Sequence, residues 1–163
     1  MEIRAYDRTI AVTAALALVA DQASKAVARV VLPLCSSSNC SETDVIGTSG
    51  FTRVNNGGSA FGFLPGLDLW IILGLAGIVA VPLLARIAGN APAAAWSAGL
   101  LIGGGLGNFS DRLAFGVVTD FIDLGNKLVV NVADLALVAG CVLLSRSLHT
   151  ALSGCTAPTP EGR

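Results

Sequence analysis

The sequence predicts an all-α membrane protein, a four-transmembrane-helix bundle with a small β-sheet over one end, and three observations predict it. Hydrophobic residues make up 53% of the 163 and charged residues only 13%, against about 25% charged in soluble domains. Four stretches, Thr9–Leu32, Leu69–Ala85, Ala91–Ser110 and Leu128–Ser145, approach the roughly 20 apolar residues that cross a hydrocarbon core. The long segment between the first two alternates short apolar runs with Gly-, Ser- and Asn-rich turns, a strand rhythm and not a helical one.

The first span carries Asp21, Lys25 and Arg29. It reads as a retained anchor, because Met1–Arg8 mixes Glu2 and Asp7 with Arg4 and Arg8, and Leu18 stands three before a cut after Ala20, where a signal peptidase site needs a small residue. Beyond it, the segment 33–66 predicts short strands at Asp44–Ile46, Phe51–Val54 and Ala60–Leu64, divided by Gly47-Thr48-Ser49-Gly50 and Asn55-Asn56-Gly57-Gly58. Phe51, Phe61 and Phe63 would rest at the membrane interface beside Trp70. Cys35 and Cys40 are near enough in sequence to bridge in an oxidising compartment, and unpaired thiols are equally compatible with their spacing. Span two holds Pro82 and stops at Arg86; span three is rich in Ala and Gly; the tail over 150–163 is polar and expected to be flexible.

An even number of spans puts both termini on one side. Arg4, Arg8, Arg86 and Arg146 would then lie in the cytoplasm, with Arg53, Arg112 and Lys127 opposite, a slight positive-inside bias. Alternation also sorts the polar clusters. Asp21-Gln22-Ala23-Ser24-Lys25, Gly103-Gly104-Gly105-Leu106-Gly107-Asn108 and Asn131-Val132-Ala133-Asp134 all fall toward one face, where the long segment and Asp111–Asp123 emerge.

Asp134 is the only charged residue in Leu128–Ser145, and a carboxylate in a membrane-length segment is costly enough that function is its default reading. Asp120 and Asp123 precede it in a hydrophobic stretch. The single histidine, His149, lies beyond span four on the opposite face, which removes Ser–His and Cys–His pairs and a histidine-based zinc site. Two neighbouring buried carboxylates share one proton, so one draws a proton from water while the other donates to a carbonyl, the aspartic-peptidase pattern. Asn108 and Asn131 would orient the carboxylates or a substrate amide, and Arg112 would hold a peptide carbonyl. Other features have plainer readings: the glycine run as a close helix crossing, Asp21 and Lys25 as an ion pair one helical turn apart, Asp111 with Arg112 as a polar helix end, and Asn56 as turn chemistry. A formal net charge of −1 gives no basis for a nucleic-acid partner. The rival classes are a four-span transporter moving protons or cations through Asp21 and Asp134, and an inert helix-binding scaffold.

The ordered motifs resemble the signal peptidase II family, the bacterial lipoprotein signal peptidases. The matching residues are Asp21-Gln22 with Lys25, Asn56-Gly57-Gly58-Ser59-Ala60-Phe61, the run Gly103–Asn108 continuing to Asp111-Arg112, Gly116 followed by Val117-Val118-Thr119-Asp120-Phe121-Ile122, and Asn131-Val132-Ala133-Asp134. The resemblance runs from about residue 9 to 148. It implies four transmembrane helices, an extracytoplasmic β-cradle and a short periplasmic helix in one integral membrane peptidase domain over 1–163. It implies cleavage of prolipoproteins immediately before a diacylglyceryl-modified cysteine, without metal or organic cofactor. It selects Asp120 over Asp123 as the partner of Asp134 in a catalytic dyad. It places Asn56, Gly104, Asn108, Arg112 and Asn131 at the substrate site, with Asp21 and Lys25 in support. A monomer in the bacterial inner membrane is expected, in contact with lipid, with both termini cytoplasmic and the site toward the extracytoplasmic face. Gly105, Val130 and Gly62 depart from the residues usual in the family, and none of the three replaces an acid or an amide.

Overall fold

The computed structural model describes residues 3–35, 50–57, 77, 80–87, 92–125 and 128–154. Three long helices dominate: α1 (Ile3–Val31), α3 (Pro92–Phe115) and α4 (Val132–Gly154), with residues 80–87 forming part of a further helix, α2. Strands β1 (Gly50–Asn56), β2 (Val118–Asp123) and β3 (Val129–Val130) make one antiparallel sheet in the order β1-β2-β3. The expected strands at 44–46 and 60–64, the aromatic residues Phe61, Phe63 and Trp70, and most of Leu69–Ala85 lie outside the described residues.

Helix ends follow local chemistry. Pro33, two residues past α1, cannot continue the ladder, and Leu34 then bridges Arg53 of β1 while the Cys35 N–H donates to the Arg53 carbonyl at 2.8 Å. Helix α3 opens at Pro92, whose missing N–H costs nothing in a first turn. It closes on Gly116, which takes φ +72° and donates its N–H to the Arg112 carbonyl at 3.0 Å, a left-handed cap that favours glycine. The helix runs past Ser110, where the expected span ends, and carries Asp111 and Arg112 on its own axis, and β2 starts two residues past the cap. Among the described residues no separate short helix stands in this connection.

Packing between the long helices depends on missing side chains. Helix α3 runs against both α1 and α4. A Cβ on Gly99 would lie 2.5 Å from the Thr13 Cβ, and one on Gly103 would lie 2.5 Å from the Ala14 carbonyl oxygen. One turn on, Gly107 abuts the Asp21 carboxylate. These glycines recur every fourth residue and let two backbones touch, the small-residue packing of helices in lipid. At the end remote from the sheet, Tyr6, Ala85, Ala94, Ala95 and Ala98 form an apolar core joined by Ile10, Val81, Leu144 and Leu148.

The polarity of α1 is inverted relative to a soluble helix. Asp21 and Lys25 are fully buried, whereas Val12, Leu16, Val19 and Val27 are exposed. Apolar surface outward and charge inward is favourable only where the surroundings are hydrocarbon. Among the described residues, two helices, over Ala5–Val31 and Val132–Ser153, are long and apolar enough to span a bilayer.

The glycine contacts predict opposite signs for two neighbouring substitutions. Gly103→Val should lower thermal stability in detergent by about 1–3 kcal/mol through overpacking. Gly105→Ala, with nothing within 4 Å of the new Cβ, should raise it by up to about 1 kcal/mol through helix propensity. Unfolding of the two purified variants beside the wild type checks both.

Candidate active site

The site forms where the sheet meets the first turn of α4. Asn131 stands immediately before the helix and caps it: its Oδ1 accepts the Asp134 N–H at 2.9 Å, and the Asp134 Oδ2 accepts the Asn131 N–H at 3.1 Å. This is an Asn/Asp form of the capping box, in which residue and helix position three answer each other's backbone. Asp21 Oδ1 of α1 accepts the Ala133 N–H between them at 2.9 Å. Backbone donors that would otherwise be orphaned in an apolar medium are thus met by three side chains.

Asn131 also reaches outward from the cap. Its Nδ2 donates to Asp120 Oδ1 at 2.6 Å and to Asn108 Oδ1 at 3.1 Å. Asn108 in turn donates its Nδ2 to Asp134 Oδ1 at 2.8 Å. Asp120 receives a second amide, Asn56 Nδ2, on Oδ2 at 3.0 Å. That contact follows from register, because Val54 pairs with Asp120 and Asn56 with Val118, which leaves Asn56 on the diagonal next to Asp120. Asn56 is therefore inside a strand, and the turn reading of Asn55-Asn56 is replaced by a side chain aimed at a carboxylate.

Asp120 and Asp134 are consequently joined through two asparagines, while Asp123 is turned to another task. Its Oδ1 accepts the Gly125 N–H at 2.7 Å, closing the β2–β3 hairpin in which Gly125 has φ +82°. Asp120 is nearly inaccessible at 3% exposure, whereas Asp134 is only partly covered. Burial raises the Asp120 carboxyl above its ordinary range, and the charge of Asp134 adds to the rise against the opposing Asn56 and Asn131 donors. The Arg112 guanidinium interacts electrostatically with Asp120, Asp134 and Asp111, and its Nη1 donates to the Asn108 carbonyl at 3.3 Å.

Beneath this centre lies a polar network wider than the sequence suggested. Lys25 pairs with Asp21 at 2.8 Å, one helical turn away as expected, and also faces Asp111 at 3.6 Å. Asp111 is fully buried, forms an ion pair with Arg29 Nη2 at 2.7 Å, and accepts from the Thr119 N–H at 2.9 Å and from Gln22 Nε2 at 3.3 Å. Arg29 completes the clamp by donating Nε to Thr119 Oγ1 at 2.9 Å and stacking over Phe115 at 4.2 Å. The reading of Asp111 as a polar helix end thus gives way to a buried anchor that fixes β2 one residue before Asp120. Asp21, Lys25 and Arg29, each four apart on one helical face, were the available signal. At Gly104 a Cβ would sit 2.7 Å from the Ala133 carbonyl oxygen, so the position requires a residue without a side chain where α3 meets α4.

Among the described residues no group of three or more His, Cys, Asp and Glu is arranged to hold a metal ion. Cys35 is disulfide-bonded and Cys141 is free and exposed; Cys40, near enough in sequence to bridge with Cys35, lies outside the described residues.

Apolar helices outside, with carboxylates and amides gathered at one end within, define a membrane protein with a polar centre in its interior. A family model described as signal peptidase (SPase) II matches residues 13–149. The lipoprotein signal peptidase of Pelotomaculum thermopropionicum is 34% identical over 137 residues, covering 82% of this chain and 87% of the relative. That of Syntrophomonas wolfei is 46% identical over 94 residues, and the match spans 57% of this chain and 63% of the relative's length. A bacterial membrane enzyme solved by the in meso method at 2.3 Å resolution has a TM-score of 0.76 at 25% identity, over 94% of each chain. The chain belongs to the signal peptidase II family. The transporter alternative finds no support among these relatives.

A raised Asp120 has a definite pH signature. Between the ordinary carboxylate value and the raised one, the folded chain holds a proton that the unfolded chain has released, so stability falls as pH rises through that window. Denaturant unfolding across the window should show this slope in the wild type and a flatter profile in Asp120→Asn.

Proposed function

We propose that this chain is an aspartic endopeptidase that removes the signal peptide from prolipoproteins, cutting immediately before the diacylglyceryl-modified cysteine. The observation that carries the reading is the Asn131 side chain, whose amide holds Asp120 while its backbone N–H and Oδ1 hold Asp134. One residue thereby ties two carboxylates together at a partly covered site, in a chain of the signal peptidase II family.

In the proposed reaction Asp120 and Asp134 share one proton. The ionised carboxylate takes a proton from water as the water oxygen attacks the scissile carbonyl carbon, and the protonated one donates to the carbonyl oxygen. Collapse of the tetrahedral intermediate breaks the C–N bond, and a dyad proton passes to the leaving amine of the modified cysteine. Asn56, Asn108 and Asn131 keep the carboxylates in place, and Arg112 lies where a peptide carbonyl would be held. Gly104 serves by letting α4 approach α3, and Asp21 and Lys25 support the α4 terminus. No metal or organic cofactor enters the scheme.

The whole chain, 1–163, acts in this proposal as one domain and as a monomer with four spanning helices. Both termini lie in the cytoplasm, and the sheet and site face outward from the bacterial inner membrane. The slight arginine bias supports that orientation. Exposed Val12, Leu16, Val19 and Val138 give an apolar wall against which the substrate's lipid chains and signal helix would lie.

Cleavage of a lipid-modified prolipoprotein by purified protein provides the test. Asp120→Asn and Asp134→Asn should each lower kcat by roughly two to four orders of magnitude, the range for losing a general acid or base, whereas Asp123→Asn should retain most turnover. Substantial turnover by either dyad variant would remove the proposal.

A further inference from the structure

Lys25 is completely buried, and a buried ammonium is tolerated only when its charge and its donors are both met. Asp21 at 2.8 Å and Asp111 at 3.6 Å answer the charge. One donor has a different destination, Asn108 Oδ1 at 2.9 Å. The same oxygen accepts from Asn131 Nδ2 at 3.1 Å, and the other end of the amide, Asn108 Nδ2, donates to Asp134 Oδ1 at 2.8 Å.

These three contacts fix which way the amide faces. Turned by half a rotation, its NH2 would meet the Lys25 ammonium and the Asn131 NH2, and its oxygen would meet the Asp134 carboxylate. Donor would oppose donor twice and acceptor would oppose acceptor once. Ammonium and carboxamide are both buried, so water has little access to relieve the mismatch.

We propose that Lys25 is a positioning residue for the peptidase reaction: its hydrogen bond to Asn108 Oδ1 locks the carboxamide so that Nδ2 is aimed at Asp134. This goes beyond the helix-supporting ion pair with Asp21, because it acts on a reacting carboxylate through one intervening side chain. It rests on the peptidase reading, which makes Asp134 a reacting group. Asn131 supplies a second, neutral donor to the same oxygen, and Lys25 adds a charge-assisted one, the stronger type. Without Lys25 the amide samples both orientations, and Asp134 loses its side-chain donor for part of the time.

Removing Lys25 alone would strand the Asp21 charge and confuse misfolding with misorientation. The test therefore compares two charge-neutral pairs, Asp21→Asn/Lys25→Met and Asp21→Asn/Lys25→Gln. They have the same net charge and similar side-chain length, and only the second retains a donor at position 25. With a lipid-modified prolipopeptide substrate, the Met pair should show a kcat about tenfold or more below that of the Gln pair, with KM unchanged, as expected for a contact that matters in the transition state. Equal kcat in the two pairs overturns the inference. Should the Met pair fail to fold, Asn108→Asp decides: it keeps an acceptor for both Lys25 and Asn131 but offers Asp134 no amide donor. Its kcat should fall about tenfold or more without a change in KM, and an unchanged kcat overturns the inference. Asp120→Asn and Asp134→Asn assayed alongside separate the two levels. If they are inactive while the Met and Gln pairs match, only the role of Lys25 falls; if they turn over, the peptidase reading itself falls.

Discussion

The first turn of α4 begins where water is scarce, and its backbone N–H groups need acceptors at whatever price in buried polarity. Asn131, Asp134 and Asp21 supply them. Each of the three is thereby tied to a fixed place. Asp134 is held by the cap on one oxygen and by Asn108 on the other, and Asn131 has an amide nitrogen left to spend on Asp120. The capping requirement of one helix therefore also sets the geometry of both carboxylates. The proposed chemistry inherits its precision from an ordinary structural need.

The rest of the molecule holds that turn against two neighbours. Glycines on α3 bring α1 close enough for Asp21 to reach the Ala133 N–H. Asp111, clamped between Lys25, Arg29 and Thr119, secures the strand that carries Asp120. Charge inside and hydrocarbon-facing valine and leucine outside form one arrangement, since an apolar solvent makes every unpaired polar group costly. A network so densely paired in such a place is rigid, and rigidity is what the proposed proton-sharing pair of carboxylates requires.

Much of this was legible in the residues. Hydropathy located α1, α3 and α4, and alternation of the spans placed Asp21, Asn108 and Asp134 near one another. Phe51–Val54 falls within β1 as its β-rich composition suggested. The choice of Asp120 over Asp123 was not legible from spacing, because the two lie three residues apart on one strand and only the hairpin turn, with Gly125 at positive φ, claims Asp123. Asn56 had two readings for a related reason: Asn-Asn-Gly-Gly is turn chemistry locally, and only the β1–β2 register turns that amide toward Asp120. Asp111 and Thr119 were missed because Arg29, which meets both, and Lys25, which meets Asp111, lie far away in sequence on α1, and helix-end polarity is the default for an acid–arginine pair. Gly104 shows the converse, a motif position whose contribution is the absence of a side chain.

The central claim is that Asp120 and Asp134 hold a single proton between them at working pH. Infrared difference spectroscopy of the purified protein in detergent reads it directly, by following the carbonyl stretch of a protonated carboxyl through a pH titration in the wild type and in Asp120→Asn. The account predicts one protonated-carboxyl band near neutral pH that disappears as pH rises and is altered or absent in the variant. Two ionised carboxylates at neutral pH, with no such band in the wild type, would contradict it.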